Sequence, residues 1–280
     1  MSASLDIDHL RKWIGTERRS TDVITPRLAN GLAAVLDRDC DLAPGSPAPP
    51  GIHWCLAPEI APMSALGSDG HPARGAFMPP VPLPRRMWAG GALRFTGSFR
   101  VGDEVCRVSR IVDVAGKAGR TGTLCFVTIG HDYSTPAGLV LSERQDLVYR
   151  ALDAAPAGEP RETDLPEPER RAEVDGTATL LMRYSAVTFN GHRIHYDLDY
   201  CRDEELYPGL LVHGPLQATF LLQMAADMDG GRMPSRFDFR ATAPLFHGAV
   251  FSLNGRREPE AVRLWVANDR GVATMEARSA

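Results

Sequence analysis

Between Tyr184 and Gln223 the chain gathers the side chains best suited to moving a proton, in the run YSAVTFNGHRIHYDLDYCRDEELYPGLLVHGPLQATFLLQ. Three of the eight histidines fall here, His192, His195 and His213, among Asn190, Arg193, Asp197 and Asp199. Two chemistries compete for such a set. His192-x-x-His195 with His213 offers three nitrogens to a metal ion. Arg193 stands between the first two histidines, however, and puts a fixed positive charge beside a dication. A spacing of four would also place two ligands better on one helical face. Acid/base work suits the set better, because imidazole titrates near neutrality and moves protons on and off water or a carbon acid. A proton-transfer site with no metal is therefore expected. The plain alternative, histidines buried and satisfied by backbone, suits one isolated residue better than three beside Asn, Arg and Asp.

Adding water to an activated double bond requires a positioned water, a base, and hydrogen-bond donors for the enolate oxygen that develops. The second part of the stretch offers the donors. YPGLLVHGP leads into LQATFLLQMAADM, a loop running into an apolar helix with Pro215 in its first turn. A helix start presents unpaired N–H groups and the positive end of the helix dipole. Gly214 has no side chain, so its N–H can approach a thioester oxygen closely. In the plain reading Gly214 only permits a tight turn and His213 only caps the helix.

The rest of the chain must position this stretch. Its 280 residues suit one large domain or two ordinary ones. A 44% hydrophobic content and a net charge of -4 describe a globular protein with no electrostatic drive toward nucleic acid or an anionic membrane. Met1 to Arg11 is too polar for a secretory signal, and no apolar run is long enough to span a bilayer. The five cysteines are scattered, with no C-x-x-C, which points to reduced thiols and a cytoplasmic setting.

Residues 4–14 are spaced as a helix with Ser4 at its N-cap. Thr25 and Pro26 then fit the cap and first position of a second helix, RLANGLAAVLD. GIHWCLAP reads as a short strand or buried turn. Residues 57–92, rich in Pro, Gly and Ala, show no period; a stretch this long without structure is usually functional or mobile. Within it Arg85 and Arg86 beside Trp88 either grip a phosphate or carboxylate, or form a basic turn with Trp88 packed on the core. From Leu93 to Arg150 four strands follow one another. Residues 151–170 are Pro- and charge-rich, a linker. The second half opens with TATLLMRYSAVT, read as a strand into a turn, and after the His-rich stretch come four more strands: FDFRATAPLF, VFSLNGRRE, VRLWVANDR and GVATMEARS.

Each half thus runs helix, then antiparallel strands. The expected fold is α+β, a double hot-dog: two helix-wrapped antiparallel sheets forming a pseudo-dimer in one chain, with their edges paired. The expected divisions are 1–150 for an N-terminal unit, 151–172 for the linker, and 173–280 for the unit that carries the His-rich stretch.

The motifs FNGHRIHYD and YPGLLVHGPL resemble the MaoC-like dehydratases. The resemblance is closest to the branch holding the type 2 hydroxyacyl-thioester dehydratases and the mesaconyl-CoA and itaconyl-CoA hydratases. The segments WIG, ITPRLANGLAAVLD and PRRMWAGG resemble the N-terminal domain of the same branch, so the likeness covers most of the chain. The wider family pattern is an aromatic residue, then roughly [ST]-G-D-x-N-P-x-H. Laid on this sequence, Tyr184 takes the aromatic place and Thr188 the hydroxyl. Phe189 stands for Gly and Asn190 for the catalytic Asp. His192 and Arg193 replace Asn-Pro, and His195 takes the catalytic His. Asn190 cannot carry a proton. Either His195 is the sole base with Asn190 orienting the water, or a carboxylate such as Asp197 takes the missing role.

The resemblance implies a hydro-lyase that reversibly hydrates a short branched dicarboxylic enoyl-CoA of the mesaconyl or itaconyl kind. His195 would take a proton from water and return one at the α carbon, and Gly214 N–H would hold the thioester oxygen. Arg193, Arg85 or Arg86 would hold the distal carboxylate, with His192, His213, Tyr184 and Trp88 shaping the pocket. The resemblance also implies that residues 1–150 supply the acyl and coenzyme A pocket and that 173–280 are the catalytic unit. No cofactor is expected beyond the coenzyme A of the substrate, and a homo-oligomer of pseudo-dimers is an open expectation. Dehydration of 3-hydroxyacyl thioesters, thioester hydrolysis on the same fold and non-catalytic acyl-CoA binding are the competing functions.

Overall fold

The strand pattern of each half resolves into five strands, and the two sets join into one antiparallel sheet. The computed structural model describes residues 5–119, 122–151 and 165–280. The first half holds β1 (Glu17–Val23), β2 (Arg85–Phe95), β3 (Glu104–Gly119), β4 (Gly122–Thr135) and β5 (Gly138–Arg150). The second holds β6 (Arg170–Asp175), β7 (Arg236–Ala241), β8 (Val250–Glu258), β9 (Ala261–Ala267) and β10 (Ala273–Ser279). Their order across the sheet is β1-β3-β4-β5-β2-β7-β10-β9-β8-β6.

That order is the same read from either end, with β1 matching β6, β3 matching β8, β4 matching β9 and β5 matching β10. β2 and β7 meet at the centre in register from Gly90↔Arg240 to Arg94↔Arg236. Each half alone would leave this strand as an open edge, and the pairing satisfies its backbone groups. The double hot-dog expected from the order of elements is therefore present.

Four helices pack against the sheet or one another. α1 (Ile7–Leu10) is capped by Asp6, whose side chain accepts from His9 N; the expected cap, Ser4, lies outside the described residues. α2 (Pro26–Val35) starts as expected, Thr25 Oγ1 accepting from Leu28 N at 3.1 Å. α3 (Ala178–Thr188) corrects the strand expected at TATLLMRYSAVT. Thr177 caps it from Leu180 N, and the buried residues Leu181, Tyr184 and Ser185 recur at helical spacing. A short apolar run leaves helix and strand undivided by periodicity alone. α4 (Gly214–Met228) is the expected apolar helix, buried on nearly every side against β2 and β7 to β10. Each of its large buried side chains, such as Leu216, Phe220, Leu221 and Leu222, contributes about 1.5–3 kcal/mol.

The two halves are not equal. Where the second half has α4, the first has a single 3-10 turn, Ile52–Cys55. The helix expected in the first half is present as α2, and among the described residues only the second sheet carries a long buried helix. Two boundaries also move. Arg85, Arg86 and Trp88 lie on β2 rather than in the long loop. Residues 170–172, placed in the linker, open β6, while 152–164 of that linker lie outside the described residues. No helix among the described residues is long and apolar enough to cross a membrane.

Candidate active site

α3 ends where the chemistry begins. Phe189 turns the chain through the left-handed region at φ 52. Asn190 N then donates to Ser185 O at 2.8 Å, and Asn190 Oδ1 accepts from His192 N at 3.0 Å. The residue standing where the family motif has an acid thus fixes the backbone of the following histidine. One 3-10 turn, Arg193–His195, carries the chain onward.

His195 is buried, and its Nδ1 lies 2.8 Å from Leu211 O. A carbonyl only accepts, so Nδ1 holds the hydrogen and Nε2 keeps its lone pair. Burial pushes its pKa down to about 4, against a small upward pull from the Leu211 carbonyl. At neutral pH it is an unprotonated base with a fixed tautomer. His213 stacks on it, ring centroids 3.5 Å apart and 18° from parallel. His213 is held in turn by Ser185 Oγ, 2.8 Å from its Nε2, and by the edge of Tyr184 at 5.0 Å. The Tyr184 hydroxyl lies 3.3 Å from Thr219 Oγ1 on α4. Stacked rings tied to Leu211 and Ser185 aim their nitrogens in parallel planes, so they do not converge on one ion as tetrahedral ligands must.

Gly214 opens α4, and His213 supplies no side-chain cap. Its N–H is one of the first-turn donors that the helix cannot satisfy. Trp88 lies against it: a Cβ at position 214 would come within 2.8 Å of Trp88 Cε3. Trp88 stacks on Phe239 at 4.6 Å and meets Trp54 edge-on at 5.7 Å. The register of β2 on β5 shifts between Trp88 and Gly90, a bulge that re-aims side chains beside a site.

The long Pro/Gly loop completes the site from the other half. Asp69 O accepts from Arg193 N at 3.0 Å, and Ser68 O accepts from Arg193 Nη1 at 3.0 Å. This lays His71 beside His192, ring centroids 4.2 Å apart, with His192 5.5 Å from His195. Asp69 Oδ2 is 3.2 Å from His71 Nδ1. Burial works to raise the Asp69 carboxyl, but the bonds and charge of His71 outweigh it and hold it at about 2. His71 itself is pushed down to about 4 by burial and by the Arg86 charge, opposed by Asp69. Neither residue was found from the sequence. The signal was the Asp-x-His spacing in a loop rich in Pro, Gly and Ala.

Asp69, His71 and His192 bring ligand-type atoms within 4.8 Å of one another. Arg74 Nη2 stands 4.0 Å from Asp69 Oδ2, and the Arg86 charge is felt at all three residues. With two cations at its edge, the cluster suits proton transfer better than a metal ion.

Two of the three expected arginines are already engaged. Arg193 bonds Asp197 Oδ2 through Nε at 2.9 Å and Nη2 at 2.7 Å, and lies over the Tyr200 ring. Arg85 is buried, paired with Glu205 at 3.2 Å and over the Tyr207 ring. Arg86 forms no hydrogen bond or ion pair among the described residues. Asp197 spends its other oxygen on Tyr200 N at 3.1 Å and does not line the cavity. It pins the His192–His195 turn in place through Arg193.

His192, His195, Gly214, Arg86 and Trp88 open on one cavity of about 1910 Å³, lined from both halves. One arm runs into the first half, where no long helix fills the sheet. Its wall holds Arg107, Ile129, Tyr133 and Leu147 together with a buried polar set. Glu143 accepts from Trp54 Nε1 at 2.9 Å and from the Tyr133 hydroxyl at 3.1 Å. His131 lies between Ser109 Oγ and Gln145 Oε1, at 2.8 and 3.1 Å.

Comparison with known proteins bears on this arrangement directly. The family model for hydroxyacyl-thioester dehydratase type 2 matches residues 51–247. The chain belongs to that family. The match spans both parts of the site, from the His71 loop to the start of α4. A mesaconyl-C(4)-CoA hydratase of Chloroflexus aurantiacus is 41% identical over 269 residues, 95% of each chain. A solved MaoC-like dehydratase superposes with a TM-score of 0.71 at 15% identity, covering 96% of this chain and 98% of that one. A Mycobacterium tuberculosis protein described as a double hot-dog gives 0.60 at 15% identity, over 95% of each. These two solved structures share the fold of this dehydratase-family chain.

Proposed function

We propose that the protein is a hydro-lyase that reversibly adds water across the double bond of a short, branched, dicarboxylic enoyl-CoA of the mesaconyl or itaconyl kind. The observation that carries this reading is one juxtaposition. An imidazole with a fixed tautomer and a free Nε2, His195, stacks on the residue before a bare helix-start N–H, Gly214. Gly214 N–H, at the positive end of α4, holds the thioester oxygen as it becomes an enolate. His195 Nε2 serves the α carbon, which is one bond from that carbonyl: it removes the α proton in dehydration and delivers it in hydration. Family membership and the 41% identical hydratase support the same reaction class. The reading calls for no cofactor besides the coenzyme A that the substrate carries.

Arg86 supports the dicarboxylic substrate. In a mesaconyl group with the thioester at the far end, the second carboxylate sits on the β carbon, where water attacks. Its partner must therefore stand beside the imidazoles, and Arg86 is the expected arginine there that is not already paired. A long alkyl chain, as in fatty-acid dehydration, fits less well, because the inner arm carries Arg107, His131, Glu143 and Gln145.

The test is spectrophotometric. Purified protein is given crotonyl-, mesaconyl- and itaconyl-CoA, and enoyl absorbance and free thiol are followed together. Loss of absorbance without thiol is the expected result, fastest with a dicarboxylic substrate. Thiol release with absorbance retained means a thioesterase and overturns the reading. Arg86→Ala should lower kcat/KM about a hundredfold for the dicarboxylic substrate and a few-fold for crotonyl-CoA.

A further inference from the structure

Three imidazoles stand in a row away from Gly214: His195, then His192 at 5.5 Å, then His71 at 4.2 Å from His192. The two outer ones have opposite backing. His195 Nδ1 donates to a neutral carbonyl, Leu211 O. His71 Nδ1 donates to a carboxylate, Asp69 Oδ2, which stays ionised. Both therefore turn an unprotonated Nε2 away from their partner. A carboxylate behind an imidazole fixes its tautomer and stabilises the imidazolium that forms on proton capture, which a carbonyl does much less well.

The order along the row matches the order of atoms in an enoyl thioester. The oxygen lies at Gly214, the α carbon is next, and the β carbon with its incoming water is one bond farther. Arg86, whose charge is felt at His71, His192 and Asp69, stands at this outer end.

We propose that Asp69 and His71, brought in by the first half, are the water-side base of the reaction, with His195 as the carbon-side acid. The proposal rests on the hydratase reading above. In hydration, His71 Nε2 takes a proton from water as the water oxygen bonds to the β carbon. The π pair of the double bond moves onto the thioester as an enolate, held at Gly214 N–H. The proton passes through the His192 ring to His195 Nε2, and from there to the α carbon, where the enolate pair forms the C–H bond. One proton leaves water and one arrives at carbon, so nothing else is consumed. Asp69 acts through His71 and is a positioning residue.

The groups facing His71 agree with this. Asp69 favours its protonation, Arg86 and Arg74 oppose it, and its burial keeps it neutral between turnovers. The same arrangement accounts for Asn190. An acid is not needed at that position if the base stands across the cavity on another loop.

Wild type, His71→Gln and Asp69→Asn are compared in hydration of mesaconyl-CoA, and in exchange of the α hydrogen of the hydrated product in deuterium oxide. His71→Gln should lose about a hundredfold or more in hydration. It should retain α-hydrogen exchange within about threefold, because His195 is untouched. Asp69→Asn should lose about tenfold, and its kcat profile should shift to lower pH, since the carboxylate that favours protonated His71 is gone. Enoyl-CoA binding and the thermal midpoint of His71→Gln, held near wild type, separate lost chemistry from lost structure. Hydration within threefold of wild type in His71→Gln overturns the pair while leaving the hydratase reading intact. Equal loss of hydration and exchange also overturns it, as does activity that a chelator abolishes and zinc restores. Wild type that neither hydrates nor exchanges removes both readings together.

Discussion

The two halves of the sheet share a strand order and differ in what fills them. The second half encloses α4, buried along nearly its whole length, and hangs His192, His195, His213 and Gly214 around its start. The first half has only the Ile52–Cys55 turn in that place and leaves room for an arm of the cavity. A duplicated scaffold has divided its work. One copy kept a packed core, which holds imidazoles and a helix end to fractions of an ångström. The other has only a turn in the place of that helix, and its sheet residues line an arm of the cavity instead. The His71 loop then crosses back from the emptied half to the packed one.

The sharpest break of this comparison is His195→Ala. It should lower kcat about a thousandfold, with enoyl-CoA binding nearly unchanged. Unaltered turnover, measured by loss of enoyl absorbance, would remove the chemistry from the packed half altogether.

Two glycines in comparable places should separate next. Gly214→Ala drives a Cβ to 2.8 Å from Trp88 at the start of α4, where the proposed mechanism puts the thioester oxygen. It should cost about a hundredfold in kcat. Gly51 precedes the first-half turn at φ 84, and a Cβ there would meet Thr219 Cγ2 on α4 at 2.8 Å. Gly51→Ala should cost about 1–3 kcal/mol of stability in thermal or urea unfolding. Its kcat should fall far less than that of Gly214→Ala. A large kcat loss at both positions would mean that the first-half turn also shapes the oxygen site.

How much of this the sequence made legible follows from the range of the forces involved. Local signals were reliable. Thr25 with Pro26 and Pro215 after Gly214 each act within a few residues, and each helix starts where expected. The motif around His195 was legible for the same reason. The Asp69–His71 pair was not, because its meaning arises from a contact across about 120 residues, between a loop without period and a turn in the other half. The roles of the arginines were likewise hidden. Arg85, Arg86 and Arg193 look alike as letters, and Glu205 and Asp197 decide which two are engaged. GIHWCLAP, read as a short strand or buried turn, is the buried 3-10 turn Ile52–Cys55, and that no long helix follows it shows only in the fold.

A volume test of the emptied half ranks third. Ile129 lines the inner arm and is 3% exposed. Ile129→Phe narrows it and should lower kcat/KM about tenfold for the bulkiest acyl group accepted, with crotonyl-CoA changed by less than about threefold. Equal loss for all acyl groups would place the acyl chain elsewhere.

The smallest effect concerns acid. An exposed histidine base halves its activity near pH 6.5, but burial holds His195 at about 4. The kcat/KM profile should therefore stay flat through pH 6.5 and bend only toward the lower value. Stability should respond first. His53, His71 and His195 have folded values of about 4, and His131, His192 and His213 are also depressed by burial. Below pH 6.5 the unfolded chain binds more protons than the folded one, so their contribution is present above pH 6.5 and lost as pH falls toward 4. The thermal midpoint should drop by several degrees between pH 7 and pH 5. His53 is buried in the first half and does not line the cavity. His53→Gln should soften that drop while leaving the activity profile in place. If it moves the profile as well, the two halves are coupled through more than packing, and the division of labour between them is less complete than the fold implies.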